Sequence, residues 1–338
     1  MIGMIPIYDF FILRKAGYTM KFKVLVTEYI DPSGIDFLKS KGCEILYQEK
    51  WQPNEIMEKI ADCQALIVRI AKITPEIIDA AKQLIVIGKL GVGVDNIDTE
   101  YAAKKGVQVV NAPVATTNSV AEHILLSMLY CAREVGIIQK EFCEKGNFYV
   151  KDQRQEAIEL EGKTLGLLGC GKIARAAARK AAQGFGMQVI AYSPSLRQEK
   201  LPKYIKAVPR DDVFRLADFV SVNLPATAAT KGSIGREEFA WMKDTAFFIN
   251  TARGSIVREQ ELIEALNEKQ IAGAAVDVFA KEPPDHDNEL LHLDNVLATP
   301  HSAAQTREAR FRVSLQLAEE IYRALQKRKL KWPVNKLC

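Results

Sequence analysis

Residues 164–174 read Thr-Leu-Gly-Leu-Leu-Gly-Cys-Gly-Lys-Ile-Ala. A short apolar strand runs into a glycine turn, and an alanine-rich stretch of helical composition follows. Gly169 permits the tight turn. Gly171 lets the backbone come close to a phosphate, and Ala174, small like the third glycine of such turns, lets helix and strand pack closely. The N–H groups and dipole at the start of a helix favour negative charge. Gly169 and Gly171 are therefore candidate contacts for the pyrophosphate of a dinucleotide.

Strand-like and helical stretches alternate along the rest of the chain, which predicts an α/β fold with parallel sheets. Short apolar runs at 23–27, 65–69, 85–90 and 107–111 suit strands buried on both faces, with helices expected at 33–41, 53–61 and 75–81. A long periodic helix is expected from Asn118 to about Glu144, then a polar loop over 146–161. Six more strands follow at 165–169, 188–192, 219–223, 246–250, 274–277 and 296–299, the layout of a full dinucleotide-binding domain. A last helix is expected over about 306–326.

Composition narrows the function classes. A chain of 338 residues favours two domains, and 48% hydrophobic with 26% charged residues describes an ordinary globular protein. The net charge of +4 is mild, and the cluster Lys327-Arg328-Lys329 with Lys331 reads as the solvated end of the last helix. No nucleic-acid-reading motif accompanies it, so no nucleic-acid partner is expected. No apolar run reaches the length of a membrane span. The six cysteines show neither Cys-x-x-Cys spacing nor histidines at zinc-ligand intervals, so they read as reduced thiols of a cytoplasmic protein without a metal. Residues 1–20 read as an extension rather than a cleavable signal, or as a mis-assigned start with Met20 as the true beginning.

Four further segments carry chemistry. Gly91-Val92-Gly93-Val94-Asp95 follows a strand, and backbone N–H groups around Val92 and Gly93 suit a carboxylate, unless this is a plain strand-to-helix turn. Asn250-Thr251-Ala252-Arg253-Gly254 places an arginine at a strand end, where it makes a bidentate carboxylate clamp or a surface ion pair. Asp277 ends a buried-looking strand, a costly place for an unpartnered carboxylate, and Glu282 follows within one short loop. Thr299-Pro300-His301 ends the last strand. Arginine, glutamate and histidine on one sheet rim make a set fit for reducing a 2-keto acid. The arginine holds the carboxylate and polarises the carbonyl, the imidazole moves the proton, and the glutamate orients the ring.

These segments, with Asn111-Ala112-Pro113, Ser119-Val120-Ala121-Glu122, Glu161-Gly162-Lys163-Thr164-Leu165-Gly166, Leu224-Pro225-Ala226-Thr227 and Met242-Lys243, resemble the D-isomer-specific 2-hydroxyacid dehydrogenase family from about Lys23 to Ala324. The resemblance implies two Rossmann-like or flavodoxin-like, doubly wound parallel-sheet α/β domains with an interdomain cleft. The substrate domain would comprise 21–118 plus 302–338 and the dinucleotide-binding domain 119–301. The implied catalytic set is Arg253, Glu282 and His301. The implied cofactor, NAD or NADP, would meet Lys172, Ile173, Asn223, Leu224, Pro225, Thr230, Thr251, Ala252 and Asp277, and Arg69, Val92, Gly93 and Arg253 would meet substrate. The helical region 119–145 would build a homodimer. Candidate substrates are 3-phosphoglycerate, hydroxypyruvate and glyoxylate. A dinucleotide-sensing, corepressor-like binding protein and a phosphite dehydrogenase are the alternatives on the same scaffold.

Two positions depart from the family pattern. NAD-specific members carry an acid where Ser193 stands, to bond the ribose 2′-hydroxyl. Ser193 removes that charge and Arg197 suits a 2′-phosphate, so the cofactor preference is open and leans toward relaxed or NADP use. Ile70 follows Arg69 where phosphoglycerate dehydrogenases often have serine, which makes that loop more apolar.

Overall fold

The computed structural model describes residues 21–47, 52–153 and 157–337, and the expected extension over 1–20 lies outside them. The chain divides into two compact units, one running to Thr116 and resuming at Thr306, the other spanning Thr117–Gln305. The junctions at 116/117 and 305/306, against 118/119 and 301/302 expected, sit beside the starts of the helices Thr117–Ala132 and Arg307–Leu325.

In the first unit, β1 (Lys23–Val26), β2 (Glu44–Tyr47), β3 (Ala65–Val68), β4 (Val86–Lys89) and β5 (Gln108–Asn111) form one parallel sheet in the order β2-β1-β3-β4-β5. β2 is an edge strand with a half-exposed Glu-Ile-Leu-Tyr sequence, too polar and short to read as a buried run. The last helix, Arg307–Leu325, packs on this sheet through Leu317 and Ile321, against Val24, Val26, Ile67 and Val110. Gly88 makes that approach possible, because a Cβ there would lie 2.6 Å from Ile321 Cδ1.

The second unit holds seven parallel strands rather than six: β6 (Thr164–Leu168), β7 (Gln188–Tyr192), β8 (Lys206–Ala207), β9 (Phe219–Val222), β10 (Phe247–Asn250), β11 (Gly273–Val276) and β12 (Val296–Ala298). The additional strand β8 is a two-residue edge, without the apolar run that reveals the others. The order is β12-β11-β10-β9-β6-β7-β8, so the chain reverses direction between β6 and β9. Ligands of open parallel sheets bind outside the strand ends at such a point. Gly169 ends β6 there with φ +95°, and a Cβ on it would meet Asn223 O at 2.6 Å. The glycine is needed both for its conformation and for the close approach of the neighbouring strand end.

The long helix expected over 118–144 is two helices, Thr117–Ala132 and Val135–Lys145, broken at Glu134 with φ +48°. The first buries Val120, Ile124 and Met128 in the core, whereas the second has no buried residue. The loop expected over 146–161 contains a helical turn at Val150–Gln153.

Candidate active site

Parallel register brings the strand ends of the second unit into one row. Leu168 pairs with Val222, Val222 with Asn250, Asn250 with Val276, and Val276 with Ala298. Each candidate residue lies just beyond that row. Gly169, Gly171, Lys172 and Ile173 follow β6, and Asn223, Leu224 and Pro225 follow β9. Thr251, Ala252 and Arg253 follow β10, Asp277 and Glu282 follow β11, and His301 follows β12. Ser193 and Arg197 follow β7, on the other side of the switch point. Arg69, Val92 and Gly93 belong to the first unit, after β3 and β4.

The turn at β6 fits a dinucleotide. The helix Lys172–Phe185 begins at Gly171, where an added Cβ would meet nothing within 4 Å. The start of the helix is thus open to a phosphate. Thr230, further along the β9 loop, accepts from Thr227 N at 2.8 Å and donates to Pro225 O at 2.6 Å, which folds the 225–230 segment.

The next three strand ends carry the ionisable groups. Asn250 is buried and shapes the loop that presents Arg253: its Oδ1 accepts from Ala252 N at 3.0 Å and its Nδ2 donates to Arg253 O at 3.1 Å. Gly254 then passes directly against the Phe279 carbonyl, where any Cβ would overlap backbone. Glu259 accepts from Ala280 N at 2.7 Å and fixes the same crossing from the other side. The Arg253 loop and the Glu282 loop are thereby held against each other.

Glu282 Oε2 accepts from His301 Nδ1 at 2.7 Å, and Glu282 Oε1 accepts from Phe279 N at 3.2 Å. Burial opposes ionisation of Glu282. The hydrogen bond and charge of His301, the Phe279 N–H and the Arg253 charge outweigh it, and the carboxyl sits below the usual carboxylate range. With Nδ1 tied to a carboxylate and the ring half exposed, Nε2 is the nitrogen presented to a ligand.

His301 itself is left-handed, with φ +49°, a conformation that costs a non-glycine residue about 1–2 kcal/mol. Asp277 holds it there. The His301 N–H donates to Asp277 O at 2.8 Å. The buried Asp277 carboxylate takes Thr299 Oγ1 at 2.6 Å, Ser302 N at 2.7 Å and Ala303 N at 2.9 Å. Asp277, expected beside a nicotinamide, thus has its carboxylate turned into the loop that carries His301. His123 backs this network, its Nε2 lying 3.3 Å from Thr299 Oγ1 and 3.9 Å from Asp277 Oδ1.

Sequence reasoning assigned no role to His123, Gly254, Glu259 or Thr299. Glu259 looks like any acid in a first helical turn, and His123 like any partly buried helical histidine. Thr299, directly before the Pro-His pair, and Gly254, directly after Arg253, stand in strand-end segments where a role is legible.

The domain family described as D-isomer specific 2-hydroxyacid dehydrogenase, NAD binding domain, matches residues 125–303. The D-3-phosphoglycerate dehydrogenase of Archaeoglobus fulgidus is 40% identical over 303 residues, covering 88% of this chain and 56% of that protein. The chain therefore spans about half the length of that relative. The hydroxypyruvate reductase of Thermotoga maritima is 39% identical over 308 residues, covering 90% of this chain and 99% of that one. Among solved structures, the NADPH-dependent glyoxylate/hydroxypyruvate reductase of Sinorhizobium meliloti, in complex with NADP and malonate, superposes with a TM-score of 0.81 at 26% identity, covering 93% and 97% of the two chains.

Burial holds His123 below the ordinary histidine value, against the opposing pull of Asp277. The unfolded chain then binds a proton that the folded chain resists. Stability is full above about pH 6.5 and falls as pH drops below it toward the depressed folded value. Thermal unfolding between pH 7.5 and 5 is expected to show a falling midpoint, with a shallower fall in His123→Gln. An equal slope in both proteins would remove His123 as the source.

Proposed function

The chain belongs to the D-isomer-specific 2-hydroxyacid dehydrogenase family, and from that premise we propose that it interconverts a small 2-keto acid and the D-2-hydroxy acid, with NAD(P) as hydride carrier. The observation that carries the reading is the 2.7 Å bond from His301 Nδ1 to Glu282, one strand end away from Arg253. A nicotinamide dinucleotide, when bound, supplies or accepts the hydride at C2. The Arg253 guanidinium takes the substrate carboxylate in two parallel hydrogen bonds and polarises the adjacent carbonyl. In reduction His301 gives the Nε2 proton to the carbonyl oxygen, and in oxidation it takes that proton from the hydroxyl. Glu282 keeps the ring in the tautomer and orientation for both directions and stabilises its charged form. Arg69, Val92 and Gly93 are the further substrate contacts in this reading.

We infer a relaxed or NADP-leaning preference from Ser193 and the exposed Arg197 after β7, since no carboxylate stands at Ser193 to repel a 2′-phosphate. A homodimer through 119–145 is supported by Leu126, Leu129, Val135, Phe142, Phe148 and Tyr149, which expose apolar surface along and just beyond those helices. Cys63, Cys131, Cys143 and Cys170 form no disulfide among the described residues, which suits a cytoplasmic location.

His301→Ala is expected to lower kcat about 100-fold or more while leaving the cofactor Kd within about twofold. Arg253→Ala should raise the keto-acid KM, because the guanidinium holds the carboxylate, and lower kcat, because it also stabilises the charge that develops on the carbonyl oxygen. Near-normal kinetics in either variant would remove that residue from the reaction. Run in parallel with NADH and NADPH, the same assays should give kcat/KM for NADPH at least equal to that for NADH, and Ser193→Asp should turn the ratio toward NADH. A strong NADH preference in the unaltered protein contradicts the cofactor reading.

A further inference from the structure

His123 lies on the helix Thr117–Ala132, in the unit that carries the strand-end row, and no step of the reaction above uses it. Its side chain is 12% exposed. Nε2 lies 3.3 Å from Thr299 Oγ1 and 3.9 Å from Asp277 Oδ1. The single hydroxyl hydrogen of Thr299 goes to Asp277 Oδ1 at 2.6 Å, so the hydroxyl oxygen accepts from His123. The neutral ring therefore carries its hydrogen on Nε2 and takes a second proton on Nδ1. The same Asp277 oxygen holds Ser302 N at 2.7 Å, one residue beyond His301, and Asp277 O holds the His301 N–H at 2.8 Å. Thr299 and Asp277 thus link one histidine to the turn that carries the other.

Resting on the 2-keto acid reading above, we propose that His123 is a positioning residue for His301, and that its protonation loosens the His301 turn and slows proton transfer to the substrate. A charged ring attracts Asp277 Oδ1 in a nearly buried setting, where charges are poorly screened. It competes there with the Ser302 N–H and the Thr299 hydroxyl for one oxygen. The turn fixed by those donors carries His301 in its left-handed conformation, which the surrounding bonds must hold. A misplacement of about 1 Å at a reacting group costs up to about 100-fold in rate. The strands packed against the helix lead to three further ionisable groups: Arg253 beyond β10, Glu282 beyond β11 and His301 beyond β12, the last two bound to each other at 2.7 Å. On the neighbouring helix Lys172–Phe185, Lys180 pairs with Glu122 at 3.2 Å. The helix Val135–Lys145 follows from the opposite end of Thr117–Ala132. Burial outweighs the pull of Asp277 on His123, so the ring charges only below the ordinary histidine value. Glu282, whose carboxyl sits below the usual carboxylate range, is still ionised there.

Reduction of a 2-keto acid by saturating reduced dinucleotide separates the two histidines by pH. His301 gives a proton in this direction, so its own titration removes activity only toward alkaline pH. A fall of kcat toward acid is the signature of His123. From pH 7 to 5, kcat is expected to drop at least about threefold, with KM for the keto acid changed less than about twofold. His123→Gln offers Thr299 the same N–H and takes up no proton, so its kcat should stay level over that range. His123→Leu, without the N–H, should have a lowered kcat at every pH. A flat acid side in the unaltered protein, or a fall that persists in His123→Gln, overturns the proposal. The histidine ring signals in long-range proton–nitrogen NMR spectra give a second readout that needs neither turnover nor a His123 variant. The His301 ring, identified by its loss in His301→Ala, should shift in step with the titration of His123 as well as with its own. A His301 ring blind to His123 overturns the proposal too. If no 2-keto acid is reduced, the dehydrogenase reading falls, and the NMR titration alone decides whether His123 positions His301.

Discussion

Asp277 stands at the end of β11 with its side chain 1% exposed. An unpaired carboxylate in that position costs several kcal/mol, so the fold at this edge must supply it with donors. Those donors are Thr299 Oγ1 and the backbone N–H groups of Ser302 and Ala303, all from the turn that carries His301. Satisfying one buried charge therefore fixes the path of the whole turn. The same residue's carbonyl takes the His301 N–H and offsets the left-handed backbone there. The left-handed backbone of His301 and the pairing of Asp277 are thus tied together in one turn.

Two glycines extend this logic across the sheet edge. Gly169 lets the nucleotide turn approach Asn223, and Gly254 lets the Arg253 loop cross the Glu282 loop. In each case a methyl group would push apart strand ends that must stay close. Rigid strands, close crossings and buried hydrogen bonds together hold arginine, glutamate and histidine on loops that would otherwise be free to move. Such preorganisation is what a proton-transfer site requires.

Most of the strands legible in the sequence are buried on both faces, as in Leu165–Leu168 or Phe219–Val222, where apolar runs end at glycine or asparagine. Glu44–Tyr47 and Lys206–Ala207, two of the four edge strands, were not, because one is half exposed with a polar start and the other is only two residues long. The break at Glu134 was hidden because helical composition continues on both sides of it while the buried face does not. Among site residues, Arg253, Glu282 and His301 stood out by type and by position at strand ends. Glu259 and His123 did not, since each acts through a partner distant in sequence: Ala280 and Thr299. Pairings of that kind are made by the fold and leave no local pattern.

The central claim is that the second unit delivers a hydride to C2 of a 2-keto acid while His301 supplies the proton. The most direct measurement is isotope transfer. The protein is incubated with reduced dinucleotide deuterated at the transferable nicotinamide position and with a 2-keto acid, and the product is resolved by chirality and mass. The account predicts a D-2-hydroxy acid with one deuterium at C2. Formation of the L-acid, or a product without deuterium at C2, would contradict it.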